Sequence, residues 1–385
     1  MLQNHNVAGI ALKKSTLSVR AGSRPELNMG GLNTPLQSSS AIEYLDDSEV
    51  RYPRYFNTLN HQVVAGKMNA LERAEAGLVT SSGMAAISAI FFGLLEGGDH
   101  IVLTKGLYGG THALIVNELE RFAISYSFAA PDARSIEAAA GPHTRMIFLE
   151  SPSNPLLSVV DLEAVSSFAK PRKIITVIDN TFATPILQNP LVLGFDLVMH
   201  SATKYLGGHS DLCCGTVNGP AVLISKIRNH LVNHGGCLNA QDCHLLERSL
   251  KTLEIRVSRQ SSNAAVIARQ LDQAQNIKRV YYPGLESHPG HDIATRQMES
   301  FGGMLSFELA DHIDPETYLR RLKLVICAVS LGGVETTICQ PVATSHQKVS
   351  EQERQHLGIT TGLLRLSVGI EDVEDIIADL LQALG

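Results

Sequence analysis

Between residues 100 and 200 the sequence alternates short apolar runs with stretches of helical period, and this alternation constrains the fold more than any other feature. The apolar runs lie at 100–103, 124–128, 146–149, 174–178 and 197–199. Strands interleaved with helices point to an α/β domain with a mainly parallel sheet. Glu150, Asp179 and His200 each stand just past an apolar run. In open α/β sheets the crevice beyond the carboxyl ends of the strands is where ligands bind, so the chemistry is expected there.

Other segments extend this frame. Residues 63–76 read as a helix, and the small polar cluster Thr80, Ser81, Ser82, Gly83 suits the opening of a second helix over 84–95, stopped by Gly97 and Gly98. The first fifty residues show no sustained period and read as an extended arm. From about residue 245 the texture changes to a long polar helical stretch, 245–274, followed by widely spaced strand-like runs such as 304–309. Residues 373–384 form an amphipathic pattern with Glu371, Asp372, Glu374 and Asp375 near the positive end of its dipole. The expected division is an arm at 1–58, a large domain at 59–245 and a small domain at 246–385.

With 385 residues the chain is longer than one hydrophobic core readily serves, which agrees with two domains. A net charge of −6 without a lysine and arginine stripe gives no footprint for nucleic acid. No apolar stretch is long enough to span a bilayer, and Lys13 and Lys14 are not followed by a signal-peptide core, so a cytoplasmic protein with no membrane partner is expected. Six cysteines without a C-x-x-C pair suggest reduced thiols. Cys237 and Cys243 with His234 and His244 match no zinc spacing, and no metal is expected.

The stretch HSATKYLGGHSD at 200–211 follows the last apolar run. Ser201 and Thr203 can donate hydrogen bonds to phosphate oxygens. A lysine such as Lys204, held in a partly dry site, becomes the neutral amine that attacks an aldehyde. These are the needs of a pyridoxal phosphate (PLP) site, although a surface lysine in a turn has the same local composition. Asp179, ending the previous apolar run, could keep a pyridinium nitrogen protonated so that the ring acts as an electron sink. Ser82, Gly83 and Met84 at a helix start offer free N–H groups to an anion, or simply an N-cap. No G-x-G-x-x-G follows a strand, so a dinucleotide lacks its fingerprint.

Seven strings in order, SSGMAAI at 81–87, LYGGTHAL at 107–114, ESPSNPLL at 150–157, VIDNTFATP at 177–185, HSATKYLGGHSD, SLGGVET at 330–336 and LLRLSVGIED at 363–372, resemble the Cys/Met-metabolism (transsulfuration, γ-subfamily) PLP enzymes of fold type I. The resemblance implies a mainly parallel seven-stranded sheet, a smaller C-terminal α/β domain, and Lys204 as covalent anchor and proton carrier. It implies that Asp179 holds the ring nitrogen, that Gly83, Met84, Ser201 and Thr203 grip the phosphate, and that Tyr108 stacks on the ring and serves as an acid or base. Asn154, Ser330 and Arg365 would bind the substrate, Arg365 through its two-pronged donor. YPRYFNTLN at 52–60 aligns with a segment whose Tyr52 and Arg54 would reach the phosphate of a neighbouring subunit, in a homotetramer.

The implied activity is elimination of the β- or γ-substituent of sulfur amino acids to a ketoacid, ammonia and a thiol. The alternative is γ-replacement on an activated homoserine, as in a cystathionine γ-synthase or an O-acylhomoserine sulfhydrylase. Val329, where cystathionine γ-enzymes of the family often carry glutamate, points to smaller apolar thioethers such as methionine. Gly110, where methionine γ-lyases usually have cysteine, points away from them. Cystathionine, methionine and cysteine all stay open.

Overall fold

Four of the five apolar runs become strands buried on both faces, the condition under which a parallel strand reads as continuous hydrophobic sequence, and the fifth, 124–128, becomes a half-exposed edge strand. In this computed structural model, which describes residues 6–7, 10–25, 30–45, 49–345, 347 and 351–385, they are β2 (His100–Thr104), β3 (Ser125–Ala129), β4 (Thr144–Glu150), β5 (Ile175–Asp179) and β6 (Leu197–Ser201). Two strands complete the sheet, β1 (Ala76–Thr80) and β7 (Gly215–Gly219), in the order β1-β7-β6-β5-β4-β2-β3. Strands β2 to β6 are mutually parallel, and β7 runs antiparallel to both β1 and β6.

Strand alternation divides the core. Leu103, Phe148, Val177 and Met199 face one layer, where they meet Ile87, Ile90 and Phe91 of the helix Gly83–Leu94. Val102, Ile147, Ile178 and Val198 face the other, against Leu162 and Val165. Full burial of such a side chain is worth about 1.5–3 kcal/mol, so a one-residue slip of any strand would expose a whole row.

The second sheet is smaller and mainly antiparallel: β8 (Ile277–Tyr281), β9 (Met304–Leu309), β10 (Ile326–Cys327), β11 (Thr337–Cys339) and β12 (Leu363–Ser367), ordered β8-β9-β12-β11-β10. The amphipathic C-terminal segment is the helix Val373–Gln382, with Ile376 and Leu380 buried against Phe307 and Leu364.

Three helical readings shift. The arm contains α1 (Lys14–Arg20). The helix expected over 63–76 is α2 (Leu59–Glu72), ended where Arg73 enters the left-handed region at φ 58°. The chain then goes straight into β1. The single helix expected over 245–274 is two, Ala240–Leu250 and Leu253–Asp272. With α3 (Gly83–Leu94) and α4 (Gly109–Glu118) already in the large sheet's layers, these are named α5 and α6. All six cysteines are unpaired.

Candidate active site

Parallel register sets two carboxylates side by side, because Glu150 at the end of β4 pairs with Asp179 at the end of β5, which pairs in turn with Met199 of β6. Past Ser201 the chain turns tightly, with Lys204 N bonded to Ser201 O at 3.1 Å and Gly208 N to Lys204 O at 2.7 Å. That turn presents Lys204, whose Nζ donates to Ser330 Oγ at 2.8 Å.

Arg365 of β12 ties this group to the strand ends. Its Nη1 donates to Asn154 Oδ1 at 2.9 Å and its Nη2 to Ser330 O at 3.0 Å. Its Nε is buried and without a partner among the described residues. Lys204, Ser330, Arg365 and Asn154 thus form one connected chain of contacts, drawn from both sheets.

Asp179 accepts both the backbone N–H and the hydroxyl of Thr181 on a single oxygen, Oδ1, at 3.0 and 2.5 Å. The same Thr181 oxygen accepts Ser201 N at 2.8 Å, which locks the ends of β5 and β6 together. No hydrogen bond among the described residues engages Oδ2. Burial raises the Asp179 pKa, opposed by the Thr181 bonds and by the nearby His200 and Lys204. Glu150 is pushed well above the ordinary carboxylate range, by burial first and then by Asp179. Its Oε2 accepts Tyr108 N at 3.0 Å and its Oε1 accepts Asn154 N at 3.1 Å, so one carboxyl orients two loops. Burial, followed by Arg365, lowers the Lys204 pKa.

The start of α3 abuts the same turn. Ser82 Oγ accepts Ala85 N at 3.0 Å, leaving the first-turn N–H groups of Gly83 and Met84, which the helix cannot satisfy. A Cβ on Gly83 would lie 2.9 Å from Ser201 Cβ, so the helix approaches this closely only through a glycine. Tyr108 caps α4 and is half-exposed. A Cβ on Gly110 would lie 2.5 Å from Tyr108 Cε1 and 3.1 Å from Met84 Sδ, so a side chain at position 110 would require that ring or the methionine to shift.

Two sequence-predicted groups sit differently. The Thr203 hydroxyl donates to Cys214 O at 3.2 Å and accepts Cys214 N at 3.0 Å, a pairing that ties the lysine turn to the chain entering β7. Arg54 donates to Val232 O and lies over the rings of Tyr52 and Tyr55. No hydrogen bond or ion pair among the described residues joins Tyr52 or Arg54 to the Lys204 group.

Thr181 and Glu150 were not among the predicted site residues. Thr181 carries no signal beyond lying two positions after Asp179, and Glu150 was visible only as a polar strand end. His200, expected in the crevice, is inside β6 and fully buried, with Nε2 2.5 Å from Glu72 Oε1 of α2.

Residues 15–385 match the family described as Cys/Met metabolism PLP-dependent enzyme. An L-methionine gamma-lyase of Fusobacterium nucleatum subsp. polymorphum is 42% identical, over 96% of this chain and 97% of its own length. A cystathionine beta-lyase of Lactococcus lactis subsp. cremoris is 39% identical, over 96% and 98%. The crystal structure of a cystathionine gamma-lyase from Lactobacillus plantarum complexed with L-serine superposes with a TM-score of 0.93 at 35% identity, over 97% of this chain and 98% of that one.

Proposed function

The chain belongs to the Cys/Met metabolism PLP-dependent enzymes, and on that premise we propose that it is a carbon–sulfur lyase that eliminates the β- or γ-substituent of cystathionine, methionine or cysteine. The products are a ketoacid, ammonia and a thiol. The observation that carries this reading is the contact chain from Lys204 Nζ through Ser330 to Arg365 and Asn154, which sets an amine beside a carboxylate-binding guanidinium.

The residues fit the cofactor on three counts. The first-turn N–H groups of α3 face a turn carrying Ser201, at a spacing that a Cβ on Gly83 would close, and such a site suits a phosphate. Thr181 occupies Oδ1 of Asp179 and no hydrogen bond among the described residues engages Oδ2, so a protonated ring nitrogen has an acceptor. Tyr108 offers a half-exposed ring beside Met84. Lys204 would hold the cofactor covalently, with Gly83, Met84, Ser201 and Thr203 at its phosphate, Thr203 after its hydroxyl turns from Cys214. When bound, PLP supplies an electron sink for the pair left at the substrate's α-carbon.

The protein's own groups do the rest. In this reading Arg365 and, beside it, Asn154 and Ser330 form the donor set for the substrate carboxylate. Lys204, its ammonium disfavoured by burial and by Arg365, takes the α-proton at Nζ. In this reading the Tyr108 hydroxyl passes a proton to the departing sulfur. Val329, 69% exposed, and Gly110 leave the far end of the site without a charge from either position.

The proposal extends to assembly. Leu32, Tyr44, Leu45 and Val50 are exposed in the arm. Such a run of apolar surface suits a contact with further copies in a homotetramer, where Tyr52 and Arg54 would complete a neighbour's phosphate site. Mixing subunits bearing Lys204→Ala with subunits bearing Arg54→Ala would then restore part of the activity that each lacks. No described helix is long and apolar enough to cross a membrane, and the proposal places the enzyme in the cytoplasm.

Incubation with cystathionine, methionine and cysteine separately, with identification of each ketoacid, tests the reading. Pyruvate marks β-elimination and 2-oxobutyrate marks γ-elimination. Cystathionine formation from O-acylhomoserine and cysteine that outpaced ketoacid release would replace the lyase with γ-replacement.

A further inference from the structure

Helix α6 (Leu253–Asp272) buries two stripes. One is apolar: Ala264, Ile267, Ala268 and Leu271 pack into the core beneath the second sheet. The other is polar. Arg256, Gln260 and Asn263, four and three residues apart and therefore on one face, are only 4%, 0% and 2% exposed. Burying such groups is unfavourable unless they are hydrogen-bonded.

Their partners are chiefly backbone carbonyls of the loops that make up the candidate site. Arg256 Nη1 donates to Tyr205 O at 2.8 Å and Nη2 to Ser249 O at 3.0 Å. Gln260 Nε2 donates to Gly333 O at 2.7 Å. Asn263 Nδ2 donates to Glu371 O at 2.9 Å and Gly369 O at 3.2 Å. Tyr205 directly follows Lys204, Gly333 closely follows Ser330, and Gly369 closely follows Arg365. Each rung of the helix thus holds the chain beside one member of the Lys204–Ser330–Arg365 group.

Two further features indicate that this alignment is imposed. Ser330 has φ 78°, a left-handed conformation unfavourable for a residue with a side chain, which persists only where its surroundings over-determine it. Gly332, at φ 77°, packs so closely on the lysine turn that a Cβ there would lie 2.7 Å from Tyr205 N. Arg256 keeps a buried guanidinium with carbonyl and hydroxyl acceptors alone among the described residues, and burial lowers its pKa to about 10. Its use is the geometry of its fork, which lysine lacks.

We propose that the polar stripe of α6 is a positioning device: Arg256 and Gln260 hold the lysine turn and the Ser330 loop in register, and so set Lys204 Nζ against Ser330 Oγ. They touch neither substrate nor cofactor. The inference rests on the reading of Lys204 and Ser330 as members of the reacting site, and it assigns the helix to them.

A double-mutant cycle in the cofactor-bound enzyme tests it, with Gln260→Met, Ser330→Ala and the double variant. Three quantities are read: kcat and KM on the fastest sulfur amino acid, the pH titration of the bound cofactor's visible absorbance without substrate, and the urea midpoint. Each single change is expected to lower kcat/KM about tenfold, chiefly in kcat, and the double change no further than the worse single, because both break one alignment. The absorbance titration should show the same non-additivity. Losses that multiply to about a hundredfold, or a Gln260→Met enzyme whose midpoint falls while kcat, KM and titration stay unchanged, would overturn the proposal.

Should Gln260→Met not fold, Gln260→Asn, which falls short of Gly333 O by one methylene, replaces it in the cycle, and Arg256→Lys is expected to repeat its kinetic signature. The titration needs no turnover. Non-additivity there, with no sulfur amino acid consumed, would sink the lyase reading and leave the positioning role standing.

Discussion

The two sides of the site are held in different ways. On the strand side, Asp179 is satisfied by Thr181, two residues on, and Glu150 by Asn154, four residues on, and by Tyr108 of the neighbouring loop. Their separation is fixed by parallel register, which the buried rows of both sheet faces enforce. On the loop side, Arg365 reaches Asn154 across 211 residues of sequence and Lys204 reaches Ser330 across 126. Charge placement follows from the sheet, whereas the alignment of amine and guanidinium depends on how the second sheet and α6 pack against it. A polar buried floor can therefore survive changes that ruin the roof.

Lys204→Ala removes the amine on which the proposed chemistry turns, so its effect should be the largest. Activity should fall by about 10⁴-fold, and borohydride treatment of the cofactor-loaded protein should leave no stable mass increase. A stable adduct on another lysine would move the anchor and dissolve the contrast between floor and roof.

Within the floor, two adjacent carboxyls should behave unequally. Asp179→Asn removes the acceptor for a ring nitrogen and is expected to lower kcat by about 10²-fold or more. Burial and Asp179 already press Glu150 toward its neutral form, which glutamine imitates. Glu150→Gln should then stay within about tenfold of the parent, with a stability loss of about 1–3 kcal/mol from an N–H left without its acceptor. Steady-state kinetics and urea unfolding of the pair decide it. Equal kinetic losses would mean that the two carboxylates share one role.

On the roof, Arg365→Lys keeps the charge and discards the planar fork. KM should rise by about tenfold to a hundredfold with a smaller change in kcat. A kcat loss with KM unchanged would place the guanidinium in the reacting step instead of the binding one.

The same contrast explains what the sequence made legible. Strands β2, β4, β5 and β6 announced themselves because burial on both faces demands unbroken apolar runs. Strands β1 and β7 did not, because several of their positions lie tight against neighbouring groups and are glycines. A Cβ on Gly77 would meet Asn218 Nδ2 at 2.3 Å, on Gly215 Ser82 O at 2.4 Å and on Gly219 Asp196 O at 2.5 Å. Glycine at those positions removes the β-branched signature. Asp179 and Arg365 stood out by residue type against apolar neighbours, and Lys204 among the hydroxyls of Ser201 and Thr203. Thr181, and the stripe Arg256–Gln260–Asn263, did not, because a polar residue that satisfies a distant carbonyl looks the same in sequence as one facing water. Likewise the break at Lys251 and Thr252 between α5 and α6 leaves no glycine or proline to mark it.

The smallest expected effect asks whether the guanidinium of the loop side tunes the amine beside it. Burial first, and Arg365 second, hold the Lys204 ammonium below the ordinary lysine value, with Cys213 and Asp179 opposing. Only the neutral amine attacks an aldehyde, so uptake of cofactor by the cofactor-free protein should rise with pH along a limb lying below that of an ordinary lysine. Arg365→Gln removes the second cause and leaves the first. The limb should therefore move up in pH without reaching the ordinary value, and the rate of uptake followed from about pH 6 to about pH 11 reads it. Were the limb to stay still or move down, the guanidinium would not act on the amine despite their shared contact at Ser330.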